Sequence, residues 1–106
     1  MKFVMWVCAD PDVVPDPADT DPEPWVSEME ARGVRLEGNR LRSASDATTV
    51  RDHGSLVTDG PFAETREQIG GYDLMECADL AEAIQVAAKH PVARWGAIEV
   101  RQVWAE

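Results

Sequence analysis

The sequence predicts a single α+β domain, with one antiparallel sheet and two helices packed on one of its faces. Three observations predict it. Runs with strand character recur at 2–8, 48–51, 55–58, 71–77 and 97–103, several of them alternating residue by residue. Two intervening segments, ending near Arg32 and spanning 80–89, space their apolar residues at helical period. The order strand, helix, strands, helix, strand is that of a sheet with segregated helices. With 106 residues and 44% hydrophobic content, the chain suits one domain over 1–106 with one core.

Each element has a local reason. In residues 2–8, Phe3, Met5 and Val7 alternate with Val4, Trp6 and Cys8. Both faces are apolar, so this is expected to be a central strand. Asp21-Pro22 supplies an N-cap and a first-turn proline for a short helix that buries Trp25, Val26 and Met29 and stops at Gly33. Asp52-His53-Gly54-Ser55 turns strand 48–51 into strand 55–58. Gly70-Gly71 leads into strand 71–77. Asp79 caps the second helix, whose Leu80, Ala83, Ile84, Ala87 and Ala88 are expected to face the core, and Pro91 follows its end. The closing strand alternates Ile98 and Val100 with Glu99 and Arg101.

Charge narrows the function. There are 20 acids against 10 bases, net −10, and no base falls between Lys2 and Arg32. Nucleic-acid binding needs Lys and Arg to offset phosphate, and anionic membranes need the same, so neither is an expected partner. The Asp-rich stretch 9–24 lacks the ligand spacing and turn glycine of a divalent-metal loop and reads as a solvated, proline-stiffened connection. No metal or other cofactor is expected. Cys8 and Cys77 lack zinc or redox spacing and are expected to be free, mostly buried thiols. No run of 18 apolar residues is present, and the N-terminal segment reads as a strand rather than a signal peptide. A cytoplasmic location is the expectation.

The most informative segment is Thr58-Asp-Gly-Pro-Phe-Ala-Glu-Thr-Arg-Glu-Gln-Ile-Gly-Gly-Tyr72. Pro61 fixes its own φ and drives Gly60 out of the α region. Asp59 is expected to accept hydrogen bonds from the amides beyond the turn. This string resembles the signature of the YCII-related family, in the DGPF-motif subgroup named for Asp-Gly-Pro-Phe. Thr48–Arg51, Leu56–Thr58, the helix start Asp79–Ala83 and Gly96–Arg101 are similar to the family as well. The resemblance implies a ferredoxin-like fold and a dimeric α+β barrel, in which two sheets face each other. Apolar residues on the second face of strand 2–8 also call for cover, with Trp104 and the last strand near the seam. A His on the first helix and an Asp near the end of the second, paired in some members, have no counterpart here.

The resemblance implies two classes of function. One is a small-molecule pocket near the Asp59–Phe62 turn, with weak precedent for lyase-like chemistry on aromatic acids or phenols. The other is a non-catalytic accessory module linked to sigma factors of the extracytoplasmic-function type. For the first, Asp59 is the candidate general base, with Glu64 and Glu67 beside it and Phe62 in the same motif. Arg101 is the candidate clamp for a carboxylate or phenolate. Their structural roles would be a satisfied turn, exposed loop carboxylates and a cross-strand ion pair. His90 is a candidate catalytic acid or base; as a structural residue it would be a protonated imidazole favoured by the helix C-terminus. His53 is expected to be solvated. Trp95 and Trp104 would either floor an aromatic cleft or pack at a dimer seam.

Overall fold

A computed structural model describes residues 1–105. Six strands and two α-helices follow in order: β1 (Lys2–Ala9), α1 (Glu23–Ala31), β2 (Arg35–Arg40), β3 (Thr48–Arg51), β4 (Leu56–Asp59), β5 (Gln68–Glu76), α2 (Leu80–Ala88) and β6 (Ala97–Gln102). Four strands form one sheet in the order β2-β5-β1-β6, antiparallel throughout. β5 lies between β1 and β2, and β1 between β5 and β6. The chain is therefore two interleaved split βαβ units, compatible with a ferredoxin-like fold.

Two expectations are corrected here. Strand β2 went unrecognised because Arg-Leu-Glu-Gly-Asn-Arg has neither alternation nor β-branched residues; backbone pairing with β5 decides it. The β3–β4 hairpin does not join the main sheet but forms a two-stranded ribbon of its own. It grows out of the β2–β5 connection as an arm.

The helix-side core is built as the periodicities require. Phe3 and Met5 of β1, Met75 of β5 and Cys77 just beyond it pack with Trp25 and Met29 of α1 and Ala83, Val86 and Ala87 of α2. The second helix is rotated from its expected setting. Val86 is fully buried, whereas Leu80, Ile84 and Ala88 are exposed. With nine residues resting on a small sheet, only the narrow Ala83–Val86–Ala87 stripe meets the core. Its cap is as expected, Glu82 N donating to Asp79 Oδ1 at 2.9 Å. For α1, Glu23 N donates to Asp21 Oδ1 at 3.0 Å, and Gly33 ends the helix.

Among the described residues, no helix or strand covers the sheet's other side. Val4, Trp6, Cys8, Tyr72 and Leu74 are half-buried there, with Trp6 and Tyr72 ring centroids 6.2 Å apart. The molecule measures 44 × 41 × 19 Å; the short dimension is one sheet with one layer of helices. No helix among the described residues is long and apolar enough to cross a membrane.

Candidate functional site

The Asp59–Phe62 turn is held by its backbone. Gly60 takes φ +97°, a conformation that glycine adopts without a side-chain clash. Its N–H donates to Ala47 O at 2.7 Å, and its carbonyl accepts from Thr49 Oγ1 at 2.8 Å. Asp59, in contrast to expectation, accepts no amide of the turn among the described residues; Ala47 and Thr49 have taken that work. Its side chain is exposed at the end of β4, opposite Thr48.

Beyond the turn, the chain bends back over the sheet's uncovered side and leaves a broad hollow of about 1080 Å³. Trp6 and Ile69 belong to the sheet, Leu41, Arg42 and Asp46 to the segment leading into the arm, and Phe62, Glu64 and Glu67 to the turn that follows it. Phe62 is 77% exposed, high for an aromatic ring. Arg51 Nη2 reaches Phe62 O at 3.4 Å and ties arm to turn. Arg42 Nε lies 3.1 Å from Asp46 Oδ2.

Three of the expected site residues, Phe62, Glu64 and Glu67, therefore line one hollow. Arg101 is elsewhere. It lies across from Val4 on the uncovered face, well exposed, with Nη2 2.9 Å from Glu99 Oε2. The ion pair weighed for it, to a carboxylate of a neighbouring strand or helix, is not the one formed: its partner Glu99 lies on its own strand.

His90 belongs to the opposite, helix-covered layer, where it borders a separate recess at the end of α2. The expected protonated imidazole is corrected: burial pushes the His90 pKa down, opposed more weakly by the Asp73 carboxylate. Nδ1 accepts the Val92 N–H at 3.1 Å, and the ring stands edge-on to Trp25 at 4.7 Å. The desolvation cost of a charge there exceeds what a helix terminus offers. His53 is exposed at the hairpin tip, in the left-handed region with φ 52°.

A buried polar cluster was missed. Arg35 Nε donates to Asp73 Oδ1 at 2.7 Å and Arg35 Nη1 to Glu30 Oε1 at 2.7 Å. Burial opposes the Arg35 charge, but the two carboxylates more than offset it and leave its pKa raised. Gly38 makes the space: a Cβ there would collide with Asp73 Oδ1 and Arg35 Nη2. One signal was available. Asp73 falls in register with Met75 and Cys77 on the core face of a strand, where a charge demands a buried partner.

The acidic 9–24 connection is occupied with local hydrogen bonding. Asp10, Asp16 and Asp21 each accept an amide two residues on. Trp95 Nε1 donates to Asp19 O at 3.2 Å, and Arg94 pairs with Asp19. No set of three metal-type ligands gathers among the described residues. Both cysteines are free, and burial, the larger cause, raises both thiol pKa values.

A four-stranded antiparallel sheet of interleaved βαβ units with two helices on one face defines a small α+β domain compatible with a ferredoxin-like fold. Comparison with known families makes the class specific: residues 1–106 match the YCII-related domain. The chain belongs to the YCII-related family. It is also similar to an uncharacterised protein of Rhizobium meliloti (strain 1021), at 46% identity over 50 residues. That segment spans 45% of this chain and 40% of the relative's length.

Proposed function

We propose that the protein binds a small organic molecule in the hollow between Trp6 and the Phe62 turn, and that two subunits bring their uncovered sheet faces together around it. Within the family, the motif Asp59-Gly60-Pro61-Phe62 supports assigning the chain to the DGPF-motif subgroup. The observation that carries the reading is Phe62. A backbone braced by Ala47 and Thr49 presents an exposed aromatic ring at a hollow that already contains Trp6. Such a ring is a common anchor for a ligand. Binding rather than turnover is favoured, because Asp59 and His90, the two candidate catalytic residues, border no common cavity.

The half-buried Val4, Trp6 and Leu74 supply the apolar reason for subunit pairing. A second reading, a regulatory module contacting another protein, draws on the arm, where Val50, Leu56 and Val57 are exposed. A ligand-observed NMR screen of small aromatic and aliphatic compounds, repeated on Phe62→Ala, tests the first reading. Hits that vanish in the variant support it. A library without hits, or hits indifferent to the substitution, refutes it and leaves the second reading in place. Sedimentation velocity tests the pairing, and a lone subunit at tens of micromolar would end it.

A further inference from the structure

We propose that the hollow selects an organic cation: a protonated amine carried on an aromatic or aliphatic body. The inference rests on the binding role assigned to the hollow above and specifies its ligand.

Two independent features of the walls converge on this class. The first is apolar. Trp6 and Phe62 offer ring surface, with Ile69 and Leu41 beside them, which suits a hydrophobic body. Ring faces also attract cations and repel anions. The second is charge. Arg42 is the one basic residue among the lining residues, and its guanidinium is already held by Asp46 at 3.1 Å. Glu64 and Glu67 make no ion pair among the described residues. The Glu67 charge also reaches the sheet, where it contributes, after burial and Glu99, to the raised Cys8 pKa. Among the lining residues, two carboxylates therefore stand without an ion-pair partner against no such cation; Arg51, outside the lining, turns its guanidinium to the Phe62 carbonyl at 3.4 Å.

A carboxylate or phenolate ligand would need a base that the site does not supply. Arg101 lies outside the lining and is paired with Glu99. Arg66 is largely exposed and faces Asp10 at 3.7 Å. The net charge of −10 acts in the same direction, drawing cations toward the surface and turning anions away.

The test uses three probes of similar body and different charge: phenethylammonium, phenethyl alcohol and 3-phenylpropanoate. Each is titrated into the full chain at low salt, following the Trp6 indole NMR signal, assigned through Trp6→Phe. The ammonium is expected to bind roughly tenfold tighter than the alcohol, the scale of one charge-assisted contact. The propanoate is expected to bind more weakly than either. In Glu64→Gln/Glu67→Gln the ammonium's advantage should largely disappear while alcohol binding persists; in Phe62→Ala binding of all three should weaken. Alcohol or propanoate binding as tight as the ammonium overturns the cation class while the hollow keeps its role. An advantage unchanged in the double Gln variant overturns the assignment to these two carboxylates. Failure of all three probes to move the Trp6 signal overturns both the class and the hollow's role.

Discussion

The sheet-and-helix body and the β3–β4 arm use similar strand residues to opposite effect. In the body, Phe3, Met5 and Met75 are nearly inaccessible, and an ion pair, Arg35 with Asp73, is buried among them. In the arm, all eight strand residues except Thr49 are exposed, including the directly opposed Val50 and Val57. The body has two layers to pack; the arm has only itself, and a two-stranded hairpin is marginal alone. It is secured at its root by Gly60 N to Ala47 O, and from its distal end the Arg51 side chain reaches the Phe62 carbonyl. Stability thus resides in the body rather than in the arm.

Substitutions should expose that contrast, beginning with the ion pair. Asp73→Ala leaves Arg35 buried beside only the exposed Glu30 and is expected to destabilise by about 3–5 kcal/mol, read from urea unfolding. A loss under 1 kcal/mol would mean that the pair is solvated. Met75→Ala, which empties a fully buried site, should cost about 2–5 kcal/mol in the same assay. Gly38→Ala should lower stability by about 2 kcal/mol or more, since its Cβ would collide with the pair that the glycine accommodates. Wild-type stability in that variant would disprove the close approach.

His90 gives the body a pH dependence. Its folded pKa lies below the ordinary 6.5 because burial disfavours the charged ring. The unfolded chain therefore binds the proton more readily as pH falls through about 6.5, so stability is present above that pH and declines below it. His90→Asn, which keeps an acceptor near the Val92 N–H without titrating, should flatten the slope between pH 7 and 5. An unchanged slope would assign it to another group. The smallest effect belongs to the arm: Val50→Thr should change unfolding free energy by no more than about 0.5 kcal/mol. A larger loss in Val50→Thr that grows with protein concentration would show the arm buried between subunits.

The chain's local signals located most of the body. Asp79 with its following helix, Gly33 after α1 and the alternation of β1 all act within a few residues, and each stands where its sequence puts it. Three of the expected site residues, Phe62, Glu64 and Glu67, gather at one hollow because a single short segment carries them. Asp59 and His90 do not meet, because nothing in linear sequence records which layer of the fold each side chain enters.

Composition and spacing alone determined the α+β class, both helices and the Asp79 cap, the hairpin, the free thiols and the acidic balance. Each of these depends on neighbouring residues or on totals, and so survives without knowledge of the fold. The first helix instead takes Pro22 as its N-cap, one residue past the expected Asp21. Tertiary structure decided what long-range pairing controls. It made the polar segment 35–40 an edge strand, and it joined Arg35 to Asp73 across 38 positions. It held His90 neutral against Trp25, and it set Phe62 opposite the uncovered face of the sheet. Burial and register have no local signature; they exist only once distant strands have met.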